Sequence, residues 1–415
     1  MVKIKKGYNL FRRFCAFVLG SVFLISGILK LMDPVGSEFV MKAYFAFLHI
    51  GFMDVTAKFF GVAFALLEAV LGAALMSGVW RKVVGIAVIV LTTFFTLLTL
   101  VLLIFNPTMD CGCFGEAVHL THLESFIKNV VLCVLCCGAF IPLRELDKPV
   151  KVKYVSFALS ALSIVALTAY SLIALPMKDY TSFKMGTILQ AAADEEYKDF
   201  TQPEFIYEKD GVRESFSLDN LPDSSWTFVD SRIKQADFVA GAVLSLTDSQ
   251  GEYCDTVASE GNVLVFSAYK NLSEEKVGSL KTLAATARDL GLKTLLLVPS
   301  DDIIEGGLLK KADMEIEFPH DDSLSVNSGA GTLSLDVYYS DFKTLATLNR
   351  SNGGVTYISD GQIVRKWSYT LRPDREKLEA ALAQDPTSLA LETQSKGSLY
   401  LQGFLLYVFA VLLLL

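Results

Sequence analysis

Residues 83–115 read VVGIAVIVLTTFFTLLTLVLLIFNPTMDCGCFG. The part from Val83 to Phe105 carries no charge and fits the ~20 apolar residues a helix needs to cross a bilayer. Asn106-Pro107 breaks it, and Cys111-Gly112-Cys113-Phe114-Gly115 follows at once. Working outward, four more apolar runs have spanning length: Phe14–Leu31, Ala57–Val79, Phe126–Leu143 and Tyr154–Leu175. A shorter one, Leu399–Leu415, closes the chain. Hydrophobic residues make up 52 % of the 415, and the mean hydropathy is +0.43, so much of the chain faces lipid. The first run has a basic start (Lys3, Lys5, Lys6, Arg12, Arg13) but no small-residue cleavage site. Lys30-Leu31-Met32-Asp33-Pro34 follows instead, so it reads as a retained span.

Charge divides the chain. Residues 1–176 carry +6 and the rest −14, within a total of −8. No basic patch interleaved with aromatics exists, and the acidic half repels phosphates, which argues against nucleic acid as a partner. The basic N-terminus, Arg81-Lys82 and Arg144/Lys148/Lys151/Lys153 alternate with the spans so that all fall on one side, the inner one. The expected localisation is a bacterial inner membrane with the N-terminus cytoplasmic. Loops 33–56 and 106–125 and the region 177–397 are then periplasmic, in an oxidising compartment.

Cys111 and Cys113 therefore stand at the outer end of a span. Gly112 removes the side chain that would obstruct so tight a turn. A disulfide closed across one residue is strained, and strained disulfides are the labile, redox-active kind. Three readings remain open: a thiol-disulfide pair, a static bridge or free thiols in a turn, and a metal site. The last rests on Cys111, Cys113, His119 and His122, a Cys-x-Cys-x5-His-x2-His set of zinc- or copper-competent ligands in tighter spacing than usual for zinc. Glu68 is an ionisable residue in mid-span, a position that is costly and by default functional: it can carry protons, hydrogen-bond a quinone head group or tie two helices together. Cys133 and Cys136 lie at i, i+3 on the next span, about 10 Å below the surface at 1.5 Å per residue. They can receive electrons from the surface pair, but an apolar setting silences thiols, and the favoured reading is small apolar filler. Thr92, Thr96 and Thr99 read as packing polar residues between helices.

Region 177–397 alternates strand and helix patterns. Val263–Phe266 is a short buried strand, and Ser273 with Glu274 and Glu275 opens a helix that Gly291 ends. Thr294–Val298 is a strand, and Asp301 or Asp302 caps a short helix. Asp341–Arg350 is helical, Val355–Ile358 and Ile363–Tyr369 form a hairpin about Asp360-Gly361, and Arg372–Leu382 is a last helix. Ser225–Leu246 adds one or two strands. This is the thioredoxin order. Its chemistry is missing: where a Cys-x-x-Cys would stand the chain has Lys270-Asn271-Leu272-Ser273. Where a proline would precede the hairpin it has Ser351-Asn352-Gly353-Gly354. Cys254, the domain's one thiol, lies on an earlier segment.

Ser26-Gly27-Ile28-Leu29-Lys30 with Asp33-Pro34-Val35-Gly36, Glu68 followed by Gly72, and Asp110-Cys111-Gly112-Cys113-Phe114-Gly115 together resemble the DoxX-like/MauE family of redox-associated membrane proteins. The soluble half resembles a degenerate thioredoxin-like extension of some Bacteroidetes members. The resemblance implies a four-helix membrane core. In the family's name it also carries methylamine metabolism, through maturation of a disulfide-rich dehydrogenase subunit. The expected organisation is a four-helix DoxX/MauE-like membrane domain over 1–148, a fifth transmembrane helix over 149–176, a periplasmic α/β thioredoxin-like domain over 177–397 and a C-terminal anchor over 398–415. The expected partners are the lipid bilayer and a periplasmic protein. The leading expectation is thiol-disulfide exchange or electron transfer at Cys111/Cys113 with Glu68, with quinone as the candidate cofactor. The alternative is a non-enzymatic scaffold whose outer domain binds a protein.

Overall fold

The fold is seen in a computed structural model, which describes residues 2–141, 151–190, 203–209, 212–216, 222, 225–233, 242–248, 250–270, 272–300, 323–328 and 331–414. Arg144 and Lys148, used above for orientation, and the cap expected at Asp301 or Asp302 lie outside these residues. The chain divides into two compact units, one of residues 1–180 with 394–415 and one of residues 181–393.

In the first unit α1 is Val2–Met32, α2 Pro34–Phe47, α3 Ala57–Ser77, α4 Arg81–Phe105, α5 His122–Phe140 and α6 Lys151–Ile173. A terminal helix runs from Pro386 to Leu414. Among the described residues six helices are long and apolar enough to cross a membrane: all of these except α2, with α3 extended by a 3-10 turn at Gly51–Thr56. Their outward faces carry large apolar side chains such as Phe59, Leu67, Val83, Ile86, Val90 and Leu97, as lipid contact requires.

Helices α1 and α3 cross at the centre, and glycines set how closely. A Cβ on Gly27 would strike the Ala69 amide and the Ala65 carbonyl, and one on Gly72 would strike the Leu24 amide and the Gly20 carbonyl. Without a hydrophobic drive between helices in lipid, such close packing is what holds them. Cys15, Leu19, Phe23, Leu75, Val88, Leu132 and Phe140 join α1 and α3 to α4 and α5. Leu24, Ile28, Ala65, Ala69, Ile164 and Val408 join them to α6 and the terminal helix. Lys153 and Ser156 of α6 donate to the carbonyls of Leu412 (3.2 Å) and Val411 (2.6 Å), which satisfies acceptors that end a helix unpaired. The terminal helix begins well before the expected Leu399.

The segment expected as loop 33–56 is largely helical. Asp33 caps α2 by accepting from the Gly36 amide at 2.9 Å, Pro34 occupies its first turn, and Glu38 pairs with Lys42 at 3.1 Å. At ~1.5 Å per residue α2 is too short to span, and so a sequence pattern tuned to spanning length passes over it.

In the second unit a six-stranded mixed sheet is built from β7 (Asn262–Ser267), β8 (Lys293–Pro299), β9 (Ser323–Ser328), β10 (Gly331–Ser340), β11 (Gly354–Ser359) and β12 (Gln362–Trp367), in the order β12-β11-β7-β8-β10-β9. β7 runs parallel to β8 and β8 to β10, while β11 is antiparallel to both β7 and β12. Helices Glu274–Asp289, Phe342–Leu348 and Arg375–Leu382 appear where the pattern put them, each capped by the side chain before it: Ser273, Asp341 and Asp374. Asp360 and Gly361 both have positive φ, the hairpin geometry expected of that pair. Strands β9 and β10 were not expected. Neither was the three-stranded sheet of β3 (Pro203–Lys209), β4 (Val212–Phe216) and β5 (Thr227–Ile233) beyond its last strand. Two-residue strands β2 (Leu189–Gln190) and β6 (Ala242–Val243) pair in parallel. Among the described residues of the first unit there is one strand, β1, Cys113–Glu116.

Candidate functional site

The Cys-Gly-Cys turn is held from both sides. Tyr44 of α2 donates to the Cys111 carbonyl at 2.8 Å, and Ser26 of α1 donates to the Cys113 carbonyl at 2.7 Å. Gly112 between them has φ +60, and a Cβ there would strike Val40 of α2, so only glycine fits. The helix that sequence reasoning passed over thus supplies both the anchor of Cys111 and the floor of the turn.

The Cys111 thiol is 5 % exposed and its Sγ lies 3.1 Å from Nδ1 of His122. The other ring nitrogen of His122 lies 2.9 Å from the Pro107 carbonyl oxygen. A carbonyl only accepts, so in the neutral ring Nε2 carries the proton and Nδ1 offers its lone pair to the thiol. His122 is fixed because it begins α5 directly after a capping box in which Thr121 and Glu124 bond reciprocally. Burial pushes the Cys111 thiol above its ordinary value; the Ser125 hydroxyl opposes this, Cys113 adds to it, Lys128 opposes it and Asp110 adds. A thiol so placed needs a base to react at neutral pH, and one touches it. Burial likewise pushes the Tyr44 hydroxyl up, so it stays a donor.

Behind the turn lies a cavity of ≈ 300 Å³ reached by Cys111, Gly112 and Cys113. Glu68 lines it and has a partner the sequence reading missed: Lys30 Nζ donates to its Oε2 at 2.6 Å, with both side chains mostly buried. The Ser26 oxygen lies 3.3 Å from the same carboxylate while donating to Cys113, so a short polar chain runs from Lys30 and Glu68 to the backbone of the thiol pair. Ser26 and Lys30 stand at i, i+4 on α1 and hence on one face. A mid-span acid calls for a buried cation, and that was the signal available in the sequence. Asn129 of α5, which also lines the cavity, donates to the Phe95 carbonyl and to Thr99 at 3.2 Å each.

The remaining candidates lie as follows. His119 pairs with Asp110 at 3.1 Å, and both are exposed, while His122 belongs to Cys111. The four proposed ligands do not converge, and among the described residues no group of three or more metal-competent side chains forms. Cys133 meets Thr96 at 3.2 Å and Cys136 meets Thr92 at 3.7 Å, contacts that tie α4 to α5. In the second unit, the place expected for a dithiol holds Lys270. Its amide and carbonyl are both bonded by the Asn352 side chain, at 3.0 and 2.8 Å. Cys254 donates to the Leu246 carbonyl, and burial with Asp248 and Asp255 pushes its thiol up to about 11.

Residues 201–236 match the model of a domain of unknown function (DUF8463). No curated protein and no solved structure matches. Residues 8–142, which contain every residue of the site just described, match the family model Methylamine utilisation protein MauE, and this part of the chain is that of a MauE-like membrane protein.

Proposed function

We propose that this protein carries out thiol-disulfide exchange at Cys111 and Cys113 on the periplasmic face of a bacterial inner membrane, as an accessory to the maturation of a periplasmic partner. The observation that carries the reading is the Cys111–His122–Pro107 relay, a thiol touching a base whose tautomer is fixed by a third group. His122 takes the Cys111 proton, the thiolate attacks one sulfur of the partner's disulfide, and the partner's other sulfur leaves as a thiol. Cys113 then attacks the mixed disulfide, releasing the reduced partner and closing Cys111–Cys113. The cycle runs in reverse to oxidise a dithiol. Glu68, held by Lys30 and touching Ser26, is assigned as the proton-carrying group of the inner wall. The alternation of Lys and Arg among the spans supports the orientation. The order β12-β11-β7-β8, with its antiparallel pair and its parallel pair, supports a thioredoxin-like outer domain of the Bacteroidetes type in a DoxX-like protein.

The test is trapping. With Cys113→Ser, Cys111 accumulates a mixed disulfide with its partner, visible as a higher band that reductant removes. The Cys111→Ser protein does not form it. Absence of any reductant-sensitive adduct in Cys113→Ser contradicts the reading. A second reading, a scaffold whose outer domain docks a protein without chemistry, is favoured by the Lys270–Asn352 pairing in place of a dithiol. It predicts a wild-type phenotype for Cys111→Ser/Cys113→Ser and loss of function on removing 181–393.

A further inference from the structure

We infer that the cavity beside Cys111 and Cys113 binds the head group of a membrane-soluble quinone, which accepts the electron pair of the two thiols. The inference rests on the thiol chemistry proposed above and adds the acceptor that chemistry needs.

Four observations carry it. The cavity, at ≈ 300 Å³, has the size of a small ligand pocket, and side chains from five helices, among them Phe23, Met41, Phe60, Leu98 and Leu132, make it mainly apolar. Its wall reaches the lipid-facing surface: Phe64 of α3 and Phe94 of α4 line it yet are 37 % and 49 % exposed, on helices of spanning length. A ligand therefore enters from the hydrocarbon, with room for a tail to stay in it. Among the polar groups that line it, Lys30, Glu68 and Ser26 meet in one contiguous set of cation, acid and hydroxyl. An acyl chain uses no such groups. A ring with two carbonyl oxygens uses an ammonium to stabilise charge developing on one of them and a carboxylate to pass protons. Finally, Cys111 and Cys113 themselves line the same space.

The step balances without a further reactant. The S–H bonds of Cys111 and Cys113 break and one S–S bond forms. The electron pair passes to the quinone, and two protons end on its two oxygens, the Cys111 proton leaving by way of His122. The products are a disulfide and a quinol. The disulfide is then ready to oxidise a partner dithiol.

The test uses the full-length protein in lipid nanodiscs with decylubiquinone as the probe. Binding is measured on Cys111→Ser/Cys113→Ser, which cannot turn over, and oxidation on the wild type. The expected results are saturable binding, weakened at least tenfold by Leu98→Trp, which fills the cavity, and by Lys30→Met, which strips the polar wall. In the wild type one quinol forms per disulfide. Both variants are checked for folding by gel filtration, and either one that folds suffices. No saturable binding overturns the quinone site while leaving exchange with a protein disulfide intact. Equal displacement by oleate marks an acyl-chain cavity and also overturns it. Binding with no quinol formed, in a protein whose thiols do react with a model disulfide, overturns the acceptor role alone. If the thiols react with neither, the exchange reading itself fails.

Discussion

Two glycine turns in this chain invite comparison, Cys111–Gly115 in the membrane unit and Ser351–Gly354 in the unit of residues 181–393. Each is pinned to sequence-distant elements, the first by side chains those elements supply and the second by its own Asn352 side chain and its backbone. Around the first, Tyr44 and Ser26 bond the carbonyls of Cys111 and Cys113, and the Cys111 thiol meets His122. Around the second, Gly353 donates to the Ser267 carbonyl and Asn352 binds both backbone groups of Lys270. Fully buried Asn349 donates to the carbonyls of Val355 and Trp367. The second turn spends its polar groups on the backbone of Ser267 and Lys270, and the first keeps reactive atoms in reserve. The lesson is that a frame and its chemistry separate: the unit of residues 181–393 has a mixed sheet with Lys270 bonded by Asn352, whereas the Cys111 thiol, the base and the cavity are in the membrane unit.

The sharpest way to break this contrast is to remove the thiols from each side. Cys111→Ser/Cys113→Ser is expected to abolish disulfide exchange entirely, and Cys254→Ser to leave it unchanged, as read by turnover of a fluorescent disulfide peptide. The reverse pattern would move the chemistry to the unit of residues 181–393. Next in size is the buried ion pair. Breaking it with Glu68→Gln or Lys30→Met is expected to cost about 3–5 kcal/mol, because the partner stays charged in an apolar setting. The double change Lys30→Met/Glu68→Gln is expected to regain most of it. Thermal unfolding in detergent measures both, and a neutral Glu68→Gln would show that the pair does not hold α1 to α3.

His122→Ala is expected to slow alkylation of Cys111 about a hundredfold at neutral pH, the usual worth of a positioned base. The pH profile follows from the sign of the shift. Burial raises the Cys111 thiol, so without the base the thiolate fraction at neutral pH lies below that of an ordinary cysteine. The alkylation rate then climbs only as pH rises past the ordinary thiol range. A profile for His122→Ala that coincides with the wild type removes His122 from the mechanism. Gly112→Ala is expected to cost about 1–3 kcal/mol, since alanine disfavours φ +60 and its Cβ meets Val40. The loss should appear in exchange activity as well as in melting, because Cys111 moves with the turn. Smallest is Asn352→Ala, about 1 kcal/mol for each of two hydrogen bonds, which should lower the stability of the unit of residues 181–393 and leave exchange untouched.

The contrast also explains what was legible in advance. Spans such as Val83–Phe105 and the β7–helix–β8 unit announce themselves because one local period decides them, in lipid or in a sheet core. The Asp360-Gly361 hairpin is likewise a two-residue matter. Helix α2 is hidden because, among spans, an apolar segment too short to cross the bilayer resembles a loop. Strands β9 and β10 are hidden because Ser323–Ser328 is too polar to stand out as a strand. At the site, Cys111, Cys113 and Glu68 were visible as single residues of the wrong kind for their setting. Their partners were not: Lys30 is 38 residues from Glu68 and His122 is 11 from Cys111. Only the packing of α1 on α3, and of the 106–121 turn on the start of α5, brings them together. His122 in particular shares a motif with His119, and the fold separates the two.

The measurement that bears most directly on the account is the redox state of Cys111 and Cys113 in native membranes, read by mass-tag trapping after reducing and oxidising challenge. The account predicts that the two thiols interconvert together between a dithiol and a Cys111–Cys113 disulfide, and that they stop doing so in His122→Ala at neutral pH. A pair that stays fully reduced, or unchangeably oxidised, under every challenge would contradict it.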